Sequence, residues 1–154
     1  MSCSVYVASP LGFSAPGRLW NQEVLLPTLE RHGLDVLDPW SKPAATASFE
    51  GTASAAGNAG LGAANEAMIK RAAGLLIVLD GSDVDSGSAA ELGYAAALGK
   101  PTVGFRSDFR ITSDNAAASV NLQVEYWIGA GGGSIHRDLD AAAVEMYRLL
   151  TVAS

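Results

Sequence analysis

Short, unbroken apolar runs alternate with stretches of helical spacing along the 154 residues of this chain. Residues 4–8 (SVYVA), 34–37 (LDVL), 75–79 (LLIVL) and 102–105 (TVGF) are rich in β-branched and large apolar side chains, and the first three end at Ser-Pro, Asp-Pro and Asp-Gly. Such runs read as strands, with LLIVL apolar enough to be central in a sheet covered on both faces. Leu19, Val24, Leu25 and Leu29 fall near helical spacing over residues 18–31, and His32-Gly33 ends that segment. Pro27 removes one helical hydrogen bond, so a kink or break is expected near Leu26. Residues 65–73 (NEAMIKRAA) place Met68, Ile69 and Ala72 on one helical face. In the last helix Leu139, Ala142, Ala143, Met146, Leu149 and Leu150 keep i, i+3, i+4 spacing, with Asp138 and Asp140 at its positive amino end.

Other segments carry no period. Residues 11–17 are a Gly/Pro/Ser loop, 106–119 are polar, and 129–133 read as an exposed glycine turn. Residues 41–64, rich in Ala, Gly, Ser and Thr, read either as a flexible flap over a site or as a mobile insertion. Residues 120–128 (VNLQVEYWI) suit a short helix or a fifth strand equally. The order of elements calls for an α/β fold: a flavodoxin-like, doubly wound, mainly parallel sheet of about five strands with helices on both faces, in one domain over 1–154.

Composition narrows the partners. A net charge of −6 with no basic stripe argues against a nucleic-acid polymer. No apolar stretch approaches the roughly 18 residues of a membrane span, and no basic-then-apolar leader is visible, so a cytoplasmic location is expected. The lone Cys3 reads as a small buried residue of the first strand. Charged residues make up only 17 % of the chain, which suits burial between subunits, hence a homo-oligomer; Trp20, Trp40 and Trp127 would suit subunit contacts too, although each by itself favours packing within its own subunit.

The chemistry concentrates in residues 75–101: a buried strand, an acidic glycine-bearing turn, then a helix carrying one isolated carboxylate, Glu91. Ligands bind at such strand-to-helix turns in open α/β sheets. Helical period sets the small residues Gly87 and Ser88 beside Glu91, leaving room for a ligand. Glu91 can be a nucleophile toward a sugar carbon, or simply a residue complementing the helix dipole. Asp80, Asp83 and Asp85 can bind sugar hydroxyls, or serve the turn and the helix cap. They lack the full calcium-loop pattern, and neither the dinucleotide nor the P-loop glycine pattern occurs, so no cofactor and no metal are expected. Clustered acids favour an uncharged polyol over a phosphate. His32 and His136 read as surface residues, which leaves a Ser-His-Asp centre without support.

Asp85, Gly87, Glu91, Leu92, Gly93, Tyr94 and Ala95 form a D-x-G-x-x-x-E-L-G-Y-A run that resembles the signature of the nucleoside 2-deoxyribosyltransferases. Tyr6 in SVYVASP, the HGLDVLDP segment, Asn65 with Ile69 and Ala72, and the pair Asn121-Leu122 extend the resemblance over nearly the whole chain in order. It implies a role in nucleotide salvage by ping-pong exchange of nucleobases, with 2′-deoxynucleosides and free nucleobases as partners. Glu91 would attack C1′ and hold a covalent deoxyribosyl intermediate, with Tyr6 orienting its carboxylate. Asp85 would accept from the 5′-hydroxyl, and Asn121 would reach the same hydroxyl in a neighbouring subunit. The alternatives are a hydrolase on the same scaffold, acting on 2′-deoxynucleosides or their 5′-monophosphates, and a nucleoside sensor without turnover. Two departures bear on this. Asn65 stands where many members have an aspartate near the base, and an amide cannot donate a proton as an acid does. Asp85 stands where related 5′-monophosphate hydrolases have a serine, and its charge would repel a phosphate.

Overall fold

The computed structural model describes residues 3–41 and 54–152, without the side chains of Ala55 and Ala56. Five strands, β1 (Ser4–Ala8), β2 (Asp35–Leu37), β3 (Gly74–Val78), β4 (Thr102–Phe105) and β5 (Ile135–His136), form one sheet in the order β2-β1-β3-β4-β5. Every pairing is parallel. This is the doubly wound order with its switch point between β1 and β3, where crossovers leave in opposite directions and a crevice opens at the strand carboxyl ends.

The helices are α1 (Ala15–Trp20), α2 (Leu26–Arg31), α3 (Ala55–Arg71), α4 (Ser86–Ala97), α5 (Leu122–Ala130) and α6 (Leu139–Val152). Strand alternation sorts the core into two layers. Val5, Val7, Leu76 and Val78 pack with Leu25, Leu29, Met146 and Leu150 under α2 and α6. Tyr6, Ala8, Leu75 and Ile77 pack with Ile69, Leu92, Val124 and Ile128 under α3, α4 and α5.

Several expectations change. The break near Leu26 is instead a π turn over Asn21–Leu25 that joins α1 to α2; the wider turn lets the chain continue past Pro27, which sits at the start of α2 without needing an N–H. Helix already begins at Ala15, so the loop expected over 11–17 is a single 3-10 turn (Leu11–Phe13) followed by α1. The aperiodic 41–64 segment is helical from Ala55 on, capped by Ser54 Oγ accepting from Gly57 N at 3.0 Å. Residues 42–53, the remainder of the expected flap, lie outside the described residues. The ambiguous 120–128 segment is a helix, because Asn121 Oδ1 caps Gln123 N and Val124 N.

The fifth strand lies further on, after a glycine turn that is not simply exposed. A Cβ at Gly133 would stand 2.0 Å from the Thr102 carbonyl oxygen. Cys3 precedes β1 and is only half-buried. Arg106, read as part of a polar loop, is buried. Its guanidinium donates to the carbonyls of Leu79, Gly81 and Arg110, tying the turn after β3 to the turn after β4. The three tryptophans are half-buried within the subunit; Trp20, for example, stacks on Phe105 at 5.8 Å.

Candidate active site

Tyr6 lies in β1 between Leu37 of β2 and Leu75 of β3 and points into the layer under α3 and α4. Asn65 shares a helical face with the buried Met68, Ile69 and Ala72, and Glu91 shares one with the buried Ser88, Leu92 and Ala95. Spacing alone therefore turns both polar side chains inward, where apolar ones are the rule. All three meet at one oxygen. Tyr6 Oη donates to Glu91 Oε1 at 2.7 Å, and Asn65 Nδ2 donates to the same Oε1 at 3.2 Å. Glu91 Oε2 accepts no hydrogen bond among the described residues and is open to solvent.

Glu91 stands five residues after the first residue of α4, past the first turn where the helix dipole acts, so the dipole-complement role falls away. Burial pushes its carboxyl above the usual glutamate range, the hydrogen bonds from Tyr6 and Asn65 pull against that rise, and the charge of Asp85 adds to it. Burial, and then the charge of Glu91, push the Tyr6 phenol far up, which keeps Tyr6 a hydrogen-bond donor. An ionised carboxylate only accepts, so the Asn65 amide must present nitrogen to it, and Asn65 Oδ1 is turned away.

The carboxylate opens onto a cleft of about 550 Å³ including its mouth. One wall comes from the chain after β1 and β2: Ser9, Phe13, Pro39 and Trp40. Trp40 meets Phe13 edge to face at 4.8 Å, and its Nε1 donates to the Ser9 carbonyl at 3.0 Å. Its ring lies over Gly12, where a Cβ would stand 1.9 Å from it. Buried Asp38 fixes the start of this wall, accepting from Asn21 Nδ2 at 3.0 Å, Ser41 Oγ at 2.8 Å and Trp40 N at 3.2 Å.

The other wall carries Asn65, Glu91, Asp85 and Gly87 on α3 and α4. Asp85 is the N-cap of α4: its Oδ2 accepts from Ser88 N at 2.8 Å and from Ser88 Oγ at 3.0 Å. Asp85 Oδ1 accepts nothing among the described residues.

Five of the six expected residues thus share one cleft or its floor. Asn121 does not line it; it borders a separate shallow groove with Asp83, Val84 and Trp127. Asp80 is occupied by Ser107 Oγ and Asp108 N, both at 2.7 Å, and Asp83 bonds Val84 N, so only Asp85 of the acidic turn faces the cleft. Among the described residues no group of three or more His, Cys, Asp or Glu is placed to hold a metal ion. His32 and His136 pair at 2.7 Å with Asp140 and Glu145 respectively, away from the cleft. Ser9, Phe13, Asp38 and Trp40 escaped the sequence reading. Asp-Pro-Trp directly after a strand end is the signal the sequence offers for Asp38 and Trp40.

Residues 5–123 match the nucleoside 2-deoxyribosyltransferase family. The chain belongs to that family. Among solved structures, this deoxyribosyltransferase-family chain is similar to a conserved protein from Enterococcus faecalis V583, at 20 % identity and a TM-score of 0.78, covering 96 % of this chain and 99 % of that one. It is also similar to the 2-deoxyribosyltransferase of the psychrotolerant bacterium Bacillus psychrosaccharolyticus (21 % identity, TM-score 0.69, 91 % and 90 % covered). A third likeness is to a CMP N-glycosidase of Clostridium botulinum (16 %, TM-score 0.53, 98 % and 99 % covered). At these identities the likenesses establish a shared fold. Comparison with curated sequences returns no match. Among the described residues no helix is long and apolar enough to cross a membrane.

Proposed function

We propose that this chain transfers 2-deoxyribose between nucleobases through a covalent deoxyribosyl-Glu91 intermediate, acting on free 2′-deoxynucleosides. The observation that carries this reading is the asymmetry of the Glu91 carboxylate. Oε1 is held by two donors, while Oε2 of this cleft-lining residue accepts none among the described residues. Oε2 attacks C1′, the C1′–N bond breaks, and its electron pair leaves with the base. In the second step a ring nitrogen of the acceptor base attacks C1′, the C1′–Oε2 bond breaks, the carboxylate re-forms with its two donors in place, and the acceptor's ring N–H proton is released to water. Covalent catalysis of this kind divides one hard displacement into two easier ones. Asn65, bonded to Glu91 through Nδ2, orients the nucleophile and is no acid, which leaves water or the base's own ring nitrogens to manage the leaving base's proton.

Asp85 keeps Oδ2 for the helix cap and offers Oδ1 to the sugar 5′-hydroxyl; a 5′-phosphate would meet its charge. Gly87, exposed beside it, leaves the sugar room. Asn121 borders a groove outside this cleft, beside the exposed Leu122 and Tyr126, which supports its completing the site of a neighbouring copy in a homo-oligomer.

Intact-mass spectrometry after brief mixing with 2′-deoxyinosine tests the reading. One deoxyribosyl adduct on the peptide containing Glu91, absent from Glu91→Gln, is expected, with adenine converting it to 2′-deoxyadenosine. Free deoxyribose as the sole product whatever the adenine concentration would establish a hydrolase instead. Binding with neither adduct nor product would establish a sensor.

A further inference from the structure

Ser9 follows β1 at the carboxyl edge of the sheet and is 5 % exposed. Its Oγ has no hydrogen-bond partner among the described residues, yet Ser9 lines the cleft. Buried hydroxyls are almost always paired, because desolvating one without a partner is uncompensated. An unpaired hydroxyl on a residue that lines a ligand cleft therefore points to a partner that arrives with the ligand.

The position of the hydroxyl says which part of the ligand. The Ser9 carbonyl accepts from Trp40 Nε1 at 3.0 Å, which fixes Ser9 to the aromatic wall that Phe13, Pro39 and Trp40 build. A flat ring suits that wall, whereas the carboxylates of Asp85 and Glu91 on α4 suit the sugar. The chemistry of the cleft decides the direction of the bond. Asp85 Oδ1, Glu91 Oε2 and Asn65 Oδ1 can only accept, whereas the Ser9 hydroxyl, unpaired among the described residues, can donate to the electron-rich nitrogens of a nucleobase.

We propose that Ser9 is a base-recognition residue whose hydroxyl donates a hydrogen bond to a ring nitrogen of the nucleobase. The inference rests on the nucleoside reading of the cleft. As the C1′–N bond breaks, the ring nitrogens gain charge and the bond from Ser9 strengthens, so Ser9 acts on the chemical step as well as on binding.

Ser9→Ala tests this. With 2′-deoxyadenosine, kcat/KM is expected to fall about 10-fold. The melting temperature is expected to hold or rise, because the variant removes a hydroxyl that the unliganded fold leaves unpaired. Competitive inhibition by 1-deaza-, 3-deaza- and 7-deaza-2′-deoxyadenosine identifies the contact: the analogue lacking the contacted nitrogen inhibits wild type and Ser9→Ala equally, while the other two inhibit the variant less well. Undiminished kcat/KM in Ser9→Ala, or a loss of affinity that is the same for all three analogues, overturns the inference and leaves the transferase reading standing. A wild-type protein that turns over no 2′-deoxynucleoside overturns that reading and this one together.

Discussion

Tyr6→Phe removes a single oxygen from the floor of the cleft and leaves the ring that β1 buries completely. What is lost is the 2.7 Å hydrogen bond to Glu91 Oε1, so the carboxylate keeps only Asn65 as a donor. A hydrogen bond to a charged group is worth about 1.5–3 kcal/mol, which at about 1.36 kcal/mol per decade is roughly a 10- to 150-fold fall in kcat/KM. The pH dependence gives a second, independent reading. The Glu91 carboxyl is already held above its ordinary range by burial, and the Tyr6 hydrogen bond is one of the two contacts that oppose this. Activity needs the ionised form, so kcat/KM falls as pH drops through the Glu91 pKa. Without Tyr6 Oη that acid limb moves to still higher pH. Folding stability falls by at most the same roughly 1.5–3 kcal/mol, since the bond lost is to a charged group. The assay is base exchange from 2′-deoxyinosine to adenine, followed by chromatography between pH 4.5 and 8, with thermal unfolding alongside. An unmoved acid limb together with unchanged kcat/KM would refute the idea that Tyr6 sets the state of the nucleophile.

Asp85→Ser separates the two duties of Asp85: serine caps helices about as well as aspartate, so the melting temperature should stay close to wild type. Turnover of 2′-deoxynucleosides should fall while their 5′-monophosphates gain, and steady-state kinetics on both substrates check this; an unchanged ratio would remove Asp85 from 5′-end recognition. Gly12→Ala places a methyl group where the Trp40 ring lies, 1.9 Å away, so the ring must move. The expected cost is about 1–3 kcal/mol of stability, as in other overpacked sites, with a raised KM for every nucleoside; a normal KM and melting temperature would show that the Trp40 wall is dispensable.

Where the sequence reading failed, it failed for local physical reasons. Residues 57–60 and 62–64 of α3 are exposed, so nothing imposes an apolar period on AAGNAGLGAA, and a helix there looks like a loop. The edge strand β5 has two residues, too few to show alternation. Arg106 has a polar name and a buried role, legible only once the carbonyls of Leu79, Gly81 and Arg110 are seen to converge on it. Asn121 as a cap was available from its place before LQVEYWI, and cap chemistry would have decided between helix and strand.

The strand runs, with the helical spacing between them, were enough for the doubly wound sheet, because period and turn chemistry are properties of neighbouring residues. The same periods set Tyr6, Asn65 and Glu91 each on an inward face. That they converge on Oε1 is another matter, since the partners stand 85 and 26 positions apart in the chain. Only the packing of α3 and α4 over β1 brings them together, because a contact between elements depends on how their faces are set against one another in space. The same packing buries Glu91, raises its pKa and leaves Oε2 without a hydrogen-bond partner among the described residues.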